Sequence, residues 1–447
     1  MSGRADVVVV GAGIVGVAVA HHLVVRLGVA DVVVVDPRPP LTLTSDKSTE
    51  CFRNWWPSRP MVELMNRSID LMEEMAAASD ASFTLSRRGY LYVTADPERL
   101  AELGRSAERI AGFGAGELRT HTAGSDRYLP DGRDGGILGG ADLFTDGEVL
   151  RRHFPFLTDA AVGGLHVRRA GWLDAQQFGM WMLRQALARG ATLIRDRVVG
   201  FEVDAGRVRA VRLEGGATLG CRAAVLAAGP LLGEVAATAG VTLPLRSELH
   251  LKTAFRDRLG VVPRDAPMMI WADPQRLAWS EEERRLLVEE GRSELVGELP
   301  PACHGRPEGG VDSPWVLALW EFRRVVSEPV FPVPVDPLYG EVVLRGMSTM
   351  IPGLASYLDR LPTPVVDGGY YTKTPENRPL AGPVGPEGLH VAGAVSGFGI
   401  MVAAALGELV ARGVVGAELP PYAAAFRPER YEDPHYRIAD DVDSGQL

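Results

Sequence analysis

Six residues near the start of the chain, Gly11-Ala12-Gly13-Ile14-Val15-Gly16, and one acid further on, Asp36, have the types and spacing to hold a dinucleotide. Gly11 permits a tight turn, Gly13 lets backbone approach a pyrophosphate, and Gly16 lets a helix pack closely on a strand. A helix opening at Ile14 directs its positive end toward the anion. Asp36 lies 20 residues past Gly16, where it can accept hydrogen bonds from the adenosine ribose hydroxyls. An acid rather than an arginine at that position argues against a 2′-phosphate. The motif alone does not separate NAD from FAD.

Two later segments supply further chemistry. Val225-Leu226-Ala227-Ala228-Gly229 ends a strand in small residues, so a cofactor can pass close to the backbone. Gly393-Ala394-Val395-Ser396-Gly397-Phe398-Gly399-Ile400-Met401 is a second glycine-bearing strand-to-helix turn, preceded by Lys373-Thr374-Pro375-Glu376-Asn377-Arg378-Pro379. The positive end of a helix there suits the electron-rich pyrimidine edge of a reduced flavin. Two anion-holding helix ends on one chain fit a single extended FAD better than NAD. No second GxGxxG follows a strand, so a separate NAD(P)H domain is not expected.

These groups need particular elements beneath them. Val7–Val10 and Val32–Val35 are continuous β-branched runs, as strands buried on both faces should be. Ile14–Leu27 offers the helix between them. Met61–Ala78 reads as an amphipathic helix whose methionine stripe belongs to the core. From Phe83 the character changes to short strands such as Gly89–Thr94. Gly135–Gly140 has the composition of a phosphate loop, but with no strand before it and no helix after it we read a connection. A helical stretch begins at Trp172-Leu173-Asp174. Thr192–Arg212 is strand-like, with a hairpin at Asp204-Ala205-Gly206-Arg207. In 245–252, Arg246, Glu248, His250 and Lys252 alternate with Leu245, Leu249 and Leu251, the period of a half-buried strand. Residues 280–295 read as a charged, solvated helix. Leu389–Ala394 returns to buried-strand material, followed by an apolar helix to about Arg412.

Composition narrows the class. The 447 residues carry 57 acidic and 47 basic side chains, a formal charge of −10, which argues against nucleic acid as a partner. The longest apolar run, Val7–Ala20, is too short to span a membrane. Cys51, Cys221 and Cys303 form neither a metal-ligand pattern nor a disulfide framework, so no metal is expected and free thiols in a cytoplasmic protein are. Of the 47 basic residues, 44 are arginine; the lysines are Lys47, Lys252 and Lys373. Lysine kept at so few places suggests a need for a compact ammonium there.

The chain resembles the D-amino-acid oxidase superfamily of FAD-dependent oxidoreductases, the group of glycine oxidase, sarcosine oxidase and dimethylglycine dehydrogenase. The resemblance rests on GAGIVG, the GWLDAQQF segment (Gly171–Phe178), the VLAAGP strand, and TKTPENRPLAGP leading to AGAVSGFGIM. It implies an α/β fold in which a Rossmann-like FAD-binding domain is interleaved with an α+β substrate domain built on an antiparallel sheet. We assign 1–84, 145–243 and 346–447 to the former and 85–144 and 244–345 to the latter. It also implies oxidation of a C–N bond.

By the same resemblance, the segment 45–56 wraps the cofactor, with Lys47, Ser48 and Thr49 in contact with it. Arg53 matches an arginine that binds substrate carboxylate, and its planar guanidinium is suited to bidentate pairing. Trp55 and Trp56 fit core packing better than a pocket wall. The strand holding Arg246–Lys252 roofs the flavin, which makes His250 a candidate base. Lysines near the flavin activate oxygen in such oxidases, so Lys252 and Lys373 are catalytic candidates, together with Phe398. Val198 joins the cofactor contacts alongside Gly11, Gly13, Ile14, Val15, Gly16, Asp36, Ala228, Gly229, Gly397, Gly399, Ile400 and Met401. Met401 cannot supply the substrate-binding cation found there in relatives. Gly369 stands where some relatives carry a flavin-linking cysteine, so the FAD is expected to be non-covalent.

The expected activity is hydride transfer from an amine or amino acid to FAD, giving an imine, with oxygen or another electron acceptor completing the cycle. Alternatives are a biosynthetic oxidase of a larger cyclic or aromatic amine, a 2-hydroxyacid oxidoreductase, and an FAD-binding electron-relay subunit.

Overall fold

The run Val7–Val10 lies in the strand Ser2–Val10, and Val7, Val8 and Val9 are fully buried. Burial contributes about 1.5–3 kcal/mol per side chain of this size. Both faces are covered because the strand sits inside a parallel array. In the computed structural model, which describes residues 2–130 and 138–438, its neighbours are Val32–Val35 and Thr218–Leu226. Thr192–Ile194 extends the array on one side and Leu389–Gly393 on the other. Arg207–Leu213 and Val198–Asp204 add antiparallel strands, and Leu380–Pro383 pairs antiparallel with Leu389–Gly393. This eight-stranded sheet carries the helices Ile14–His21, Ala175–Ala188 and Gly399–Val414, the first packing against both of the others.

A second, nine-stranded sheet runs in the order 365–373, 246–256, 315–319, 303–308, 268–271, 90–94, 163–167, 141–144, 118–121. Most of its pairs are antiparallel; 268–271 with 90–94 and 118–121 with 141–144 are parallel. The helix Tyr339–Met350 covers one face with its apolar side. Cys51–Arg53, Ala170–Leu173 and Leu85–Ser86 form a small third sheet. The fold is the expected mixed α/β arrangement of a parallel nucleotide-binding sheet and a largely antiparallel second sheet.

Several expectations shift in detail. Gly163–Val167 and Val365–Lys373 fall in segments assigned to the cofactor domain, yet they hydrogen-bond into the nine-stranded sheet. Trp172-Leu173 ends a strand instead of opening a helix, because it pairs with Cys51 and Leu85; Asp174 then caps the helix, accepting from Gln177 N at 2.7 Å. The first helix is regular only to His21 and continues as a single π turn, His22–Arg26. The predicted helix 61–78 is Arg59–Ala77 with its methionines in the core, and the charged helix 280–295 is regular over Glu281–Glu289. Residues 135–137 of the glycine-rich connection lie outside the described residues.

Candidate functional site

A cleft of about 410 Å³ opens over the carboxyl ends of the parallel strands, the usual place for a ligand on such a sheet. Gly11 (φ 109°) makes the turn into the first helix; a Cβ there would stand 2.4 Å from the Ala227 carbonyl oxygen. Gly16 lies one helical turn on, where a Cβ would meet the Gly11 carbonyl oxygen at 2.0 Å. Gly16 therefore packs helix on turn and is not among the residues lining the cleft. The Asp36 carboxylate accepts from Ala12 N and Arg38 N, both at 2.8 Å. Each oxygen has a second lone pair, and Asp36 lines the cleft, so it can still receive a ribose hydroxyl.

At the far end, Leu389–Gly393 delivers the turn 394–398 to the N-terminus of the helix Gly399–Val414. Ala394 (φ 55°) and Ser396 (φ 44°) adopt the left-handed conformation without being glycine. Such strain persists where the surrounding structure enforces it, often at ligand sites. Ser396 N donates to Thr372 O at 2.9 Å, tying the turn to the second sheet. Gly13, Ile14, Val15, Lys47, Ser48, Val198, Ala228, Gly229, Gly397, Gly399 and Ile400 also line the cleft, as do Gly369 and Lys252. A dinucleotide fits here: the small-residue walls at Gly11 and Ala227–Gly229 leave room for it, and a helix N-terminus stands at either end.

A second cavity, about 470 Å³, adjoins the first. His250, Leu251, Leu319, Tyr371 and Gly397 line both. The His250 ring stacks on Tyr371 with centroids 3.7 Å apart and planes 15° apart. Beside Tyr371, its walls carry the aromatic residues Trp56, Tyr90, Trp320, Phe322, Tyr339 and Phe398. Arg53, buried, also lines this cavity; its Nη1 donates to Trp55 O at 2.6 Å and its guanidinium lies 4.4 Å over the Trp56 ring. Phe398 meets Trp56 edge-on at 5.1 Å. Trp55 is core, as expected, whereas Trp56 serves as core and wall together.

A charged network supports the junction. Lys373 Nζ donates to Glu248 Oε2 at 2.5 Å with both side chains buried, and Arg246 Nε donates to Glu248 Oε1 at 3.2 Å. His250, 3.6 Å from Glu248, and Lys373 hold the Glu248 carboxyl well below the usual carboxylate range. Burial lowers the pKa of His250, keeping its ring neutral.

The three lysines have different fates. Lys47 is in the cleft wall but ion-pairs with Asp46 and Asp367, each at 2.7 Å. Lys373, a catalytic candidate by sequence, lines neither cavity and is paired with Glu248. Lys252 lines the cofactor cleft and donates to Ser48 O at 3.0 Å, and burial pushes its ammonium below the ordinary lysine value.

Two further assignments move. Thr49 and Met401 line the second cavity instead of the first, because the chain turns between Ser48 and Thr49, and the helix carries Met401 round to the other side. Sequence reasoning passed over Ser45, whose Oγ accepts from Ile14 N at 3.0 Å at the helix N-terminus; its place in a hydroxyl-rich run was the available signal. Tyr371, immediately ahead of the TKTPENRPLAGP segment, was overlooked. Glu321 and Leu319 carried no local signal; Leu251 belongs to the roofing strand but to its apolar face, which lines both cavities as well.

Residues 6–412 match the family model described as DAO, FAD dependent oxidoreductase. A curated relative, sarcosine oxidase subunit beta of Rhizobium meliloti (strain 1021), is 29% identical over 256 residues, 56% of this chain and 55% of that protein. The match thus spans about half the length of the relative. Among solved structures, L-proline dehydrogenase from P. horikoshii superposes with a TM-score of 0.75 at 20% identity, covering 98% of this chain and 100% of that one. Glycine oxidase from Geobacillus kaustophilus gives 0.71 at 17% identity, with 98% and 100% covered. At such identities these likenesses concern the fold.

Proposed function

The chain belongs to the DAO family of FAD dependent oxidoreductases, and from that premise we propose that it oxidises a C–N bond of an amine or amino acid. The observation that carries this reading is the meeting of the two cavities at His250, Leu251, Leu319, Tyr371 and Gly397. A molecule in the aromatic cavity there touches whatever fills the cleft. Bound FAD would supply a two-electron acceptor that takes hydride from the carbon beside nitrogen.

The chain's own residues bind, orient and exclude water. Asp36 holds the ribose and the Gly11–Ile14 turn the pyrophosphate, while the second turn, Gly397–Ile400, stands at the flavin end. Arg53 holds the substrate carboxylate, and the rings of Trp56 and Tyr90 face its guanidinium. The neutral His250 ring, stacked on Tyr371, forms the wall beside the reacting carbon. Lys252 is the lysine we assign to the electron acceptor, because it faces the cleft with no carboxylate bonded to it among the described residues. Molecular oxygen is the acceptor this arrangement suits. FAD is held without a covalent bond: none of the three cysteines lines the cofactor cleft, and Gly369 does. Cys51, Cys221 and Cys303 are free thiols, which suits a reducing, cytoplasmic setting. No described helix is long and apolar enough to cross a membrane.

A bulky substrate is favoured over a minimal one. The cavity is of the size that encloses drug-sized ligands, and its walls carry Trp56, Tyr90, Trp320, Phe322, Tyr339, Tyr371 and Phe398. Anaerobic mixing of the holoenzyme with N-methyl, secondary, D-amino and aromatic or heterocyclic amines tests the reading. A substrate bleaches the flavin, more strongly with the bulky compounds; no bleaching by any of them would sink it. Acid precipitation that leaves the yellow colour in the pellet would contradict non-covalent attachment.

A further inference from the structure

Two carboxylates line the second cavity, Asp336 and Glu321, and they differ in what neutralises them. Asp336 is paired with Arg292 at 2.7 Å. Glu321 lies two residues past Leu319, the end of the strand Trp315–Leu319, and its side chain is 12% exposed. Its Oε1 accepts no hydrogen bond and stands 3.4 Å from His250 Nε2. That nitrogen also has no hydrogen-bond partner, and the His250 side chain is only 7% exposed. Burial keeps the imidazole neutral, so it offers Glu321 a dipole but no counter-charge. The arginine paired with Glu321 among the described residues is Arg324, at 3.6 Å and 77% exposed. An ion pair so open to solvent contributes little.

The rings nearby suit a cation. Phe322 stacks on Tyr339 at 5.7 Å and 25°, Trp320 meets Phe322 edge-on at 5.7 Å, and all three line the cavity. Aromatic faces attract positive charge, and a buried carboxylate is costly until a counter-ion reaches it. Glu248, His250 and Glu321 also form a group with metal-ligand atoms close together. Glu248 already holds the Lys373 ammonium, however, and two remaining donors are too few for a dehydrated metal ion. An organic ammonium needs only one anion and apolar walls.

We propose that Glu321 is the counter-ion for a protonated amine of the substrate, so that this cavity takes organic ammonium ions. The proposal rests on the reading of this cavity as the substrate site. It adds that the substrate's nitrogen arrives charged and is anchored at Glu321, separately from any carboxylate at Arg53, and that it passes its proton to the neutral His250 ring, 3.4 Å from Glu321, before hydride leaves the neighbouring carbon.

Titrating the holoenzyme with benzyltrimethylammonium and with benzoate tests it, with flavin absorbance as the readout. Neither probe has an amine lone pair, so neither is oxidised as an amine, and binding is read apart from turnover. Glu321→Gln should weaken benzyltrimethylammonium tenfold or more and leave benzoate within about twofold; equal affinities for the cation in wild type and variant would overturn the proposal. Should the variant lose its FAD, wild type decides. Benzyltrimethylammonium binding at least tenfold tighter than neutral benzyl alcohol supports the proposal, and equal binding overturns it. The two readings fail separately. Glu321-dependent cation binding with no amine able to bleach the flavin removes the C–N chemistry alone. Amine oxidation with Glu321→Gln unchanged in cation affinity removes Glu321 alone.

Discussion

The cofactor cleft and the substrate cavity adjoin, yet they are built by opposite means. The first is largely backbone and small residues: two glycine-bearing turns, each placed by the strand before it and the helix after it. The second is side chains from remote segments, with Arg53 and Trp56 from one part of the chain and His250, Glu321, Tyr371 and Phe398 from others. At Gly11 and Gly16 the backbone cradle leaves no room for an added atom. A side-chain cavity tolerates exchange and is retuned by it. On the proposed function, the cofactor would be fixed by geometry and the substrate by composition.

The largest effect should come from breaking the cradle. Gly16→Val puts side-chain atoms where the Gly11 carbonyl lies, so the purified variant should contain no FAD; a normal flavin-to-protein ratio would contradict the geometry.

Acid should act next, through the histidines behind and beside these sites. Burial is the first cause of the depressed pKa of His21, His22 and His166, each lowered from 6.5 to about 3. These rings are neutral in the fold, so below about pH 6.5 the unfolded chain binds more protons. Stability is then lost as pH falls from 6.5 toward 3, by about 1.4 kcal/mol per pH unit for each such histidine. Denaturant midpoints across that range should show the slope, and His21→Leu should flatten it by one histidine's share.

Lys373→Met leaves the Glu248 carboxylate buried without its ammonium, an effect of about 3–5 kcal/mol on unfolding free energy. A shift below about 1 kcal/mol, the scale of an exposed pair, would mean that Arg246 carries the pair alone.

On the substrate side, Arg53→Lys keeps the charge and loses the planar fork. It should raise KM for carboxylate substrates about 10–100-fold with a smaller change in kcat, the range of a charge-assisted hydrogen bond. Equal KM values would remove Arg53 from substrate binding.

Smallest of all, Lys252→Met should slow reoxidation of the reduced enzyme by oxygen about tenfold, on the scale of one charged contact, while anaerobic reduction stays within twofold. Slowing of both half-reactions alike would make Lys252 a structural residue.

The lysines show where sequence reading stopped. All three lie in segments that run near the cleft, but proximity along the chain did not distinguish a cation facing the cofactor from one neutralising an acid. The neighbours decided it: Asp46 and Asp367 for Lys47, Glu248 for Lys373, and a carbonyl oxygen for Lys252. Thr49 and Met401 line the second cavity for a related reason, since one residue or one helical step moves a side chain from one cavity to the other.

The sequence by itself determined the parallel sheet, the two glycine-bearing turns and the affinity for a dinucleotide. Those properties follow from runs of β-branched residues, from glycine's freedom at Gly11 and from the acid at Asp36, all of which act over a few residues. Only the tertiary structure decided what the second cavity is lined with. Its strands are paired across more than a hundred residues, Arg246–Arg256 lying against Val365–Lys373. The closeness of Lys373 to Glu248 comes from that long-range register, and that of Glu321 to His250 from the pairing of Arg246–Arg256 with Trp315–Leu319, for which no local pattern is a cause.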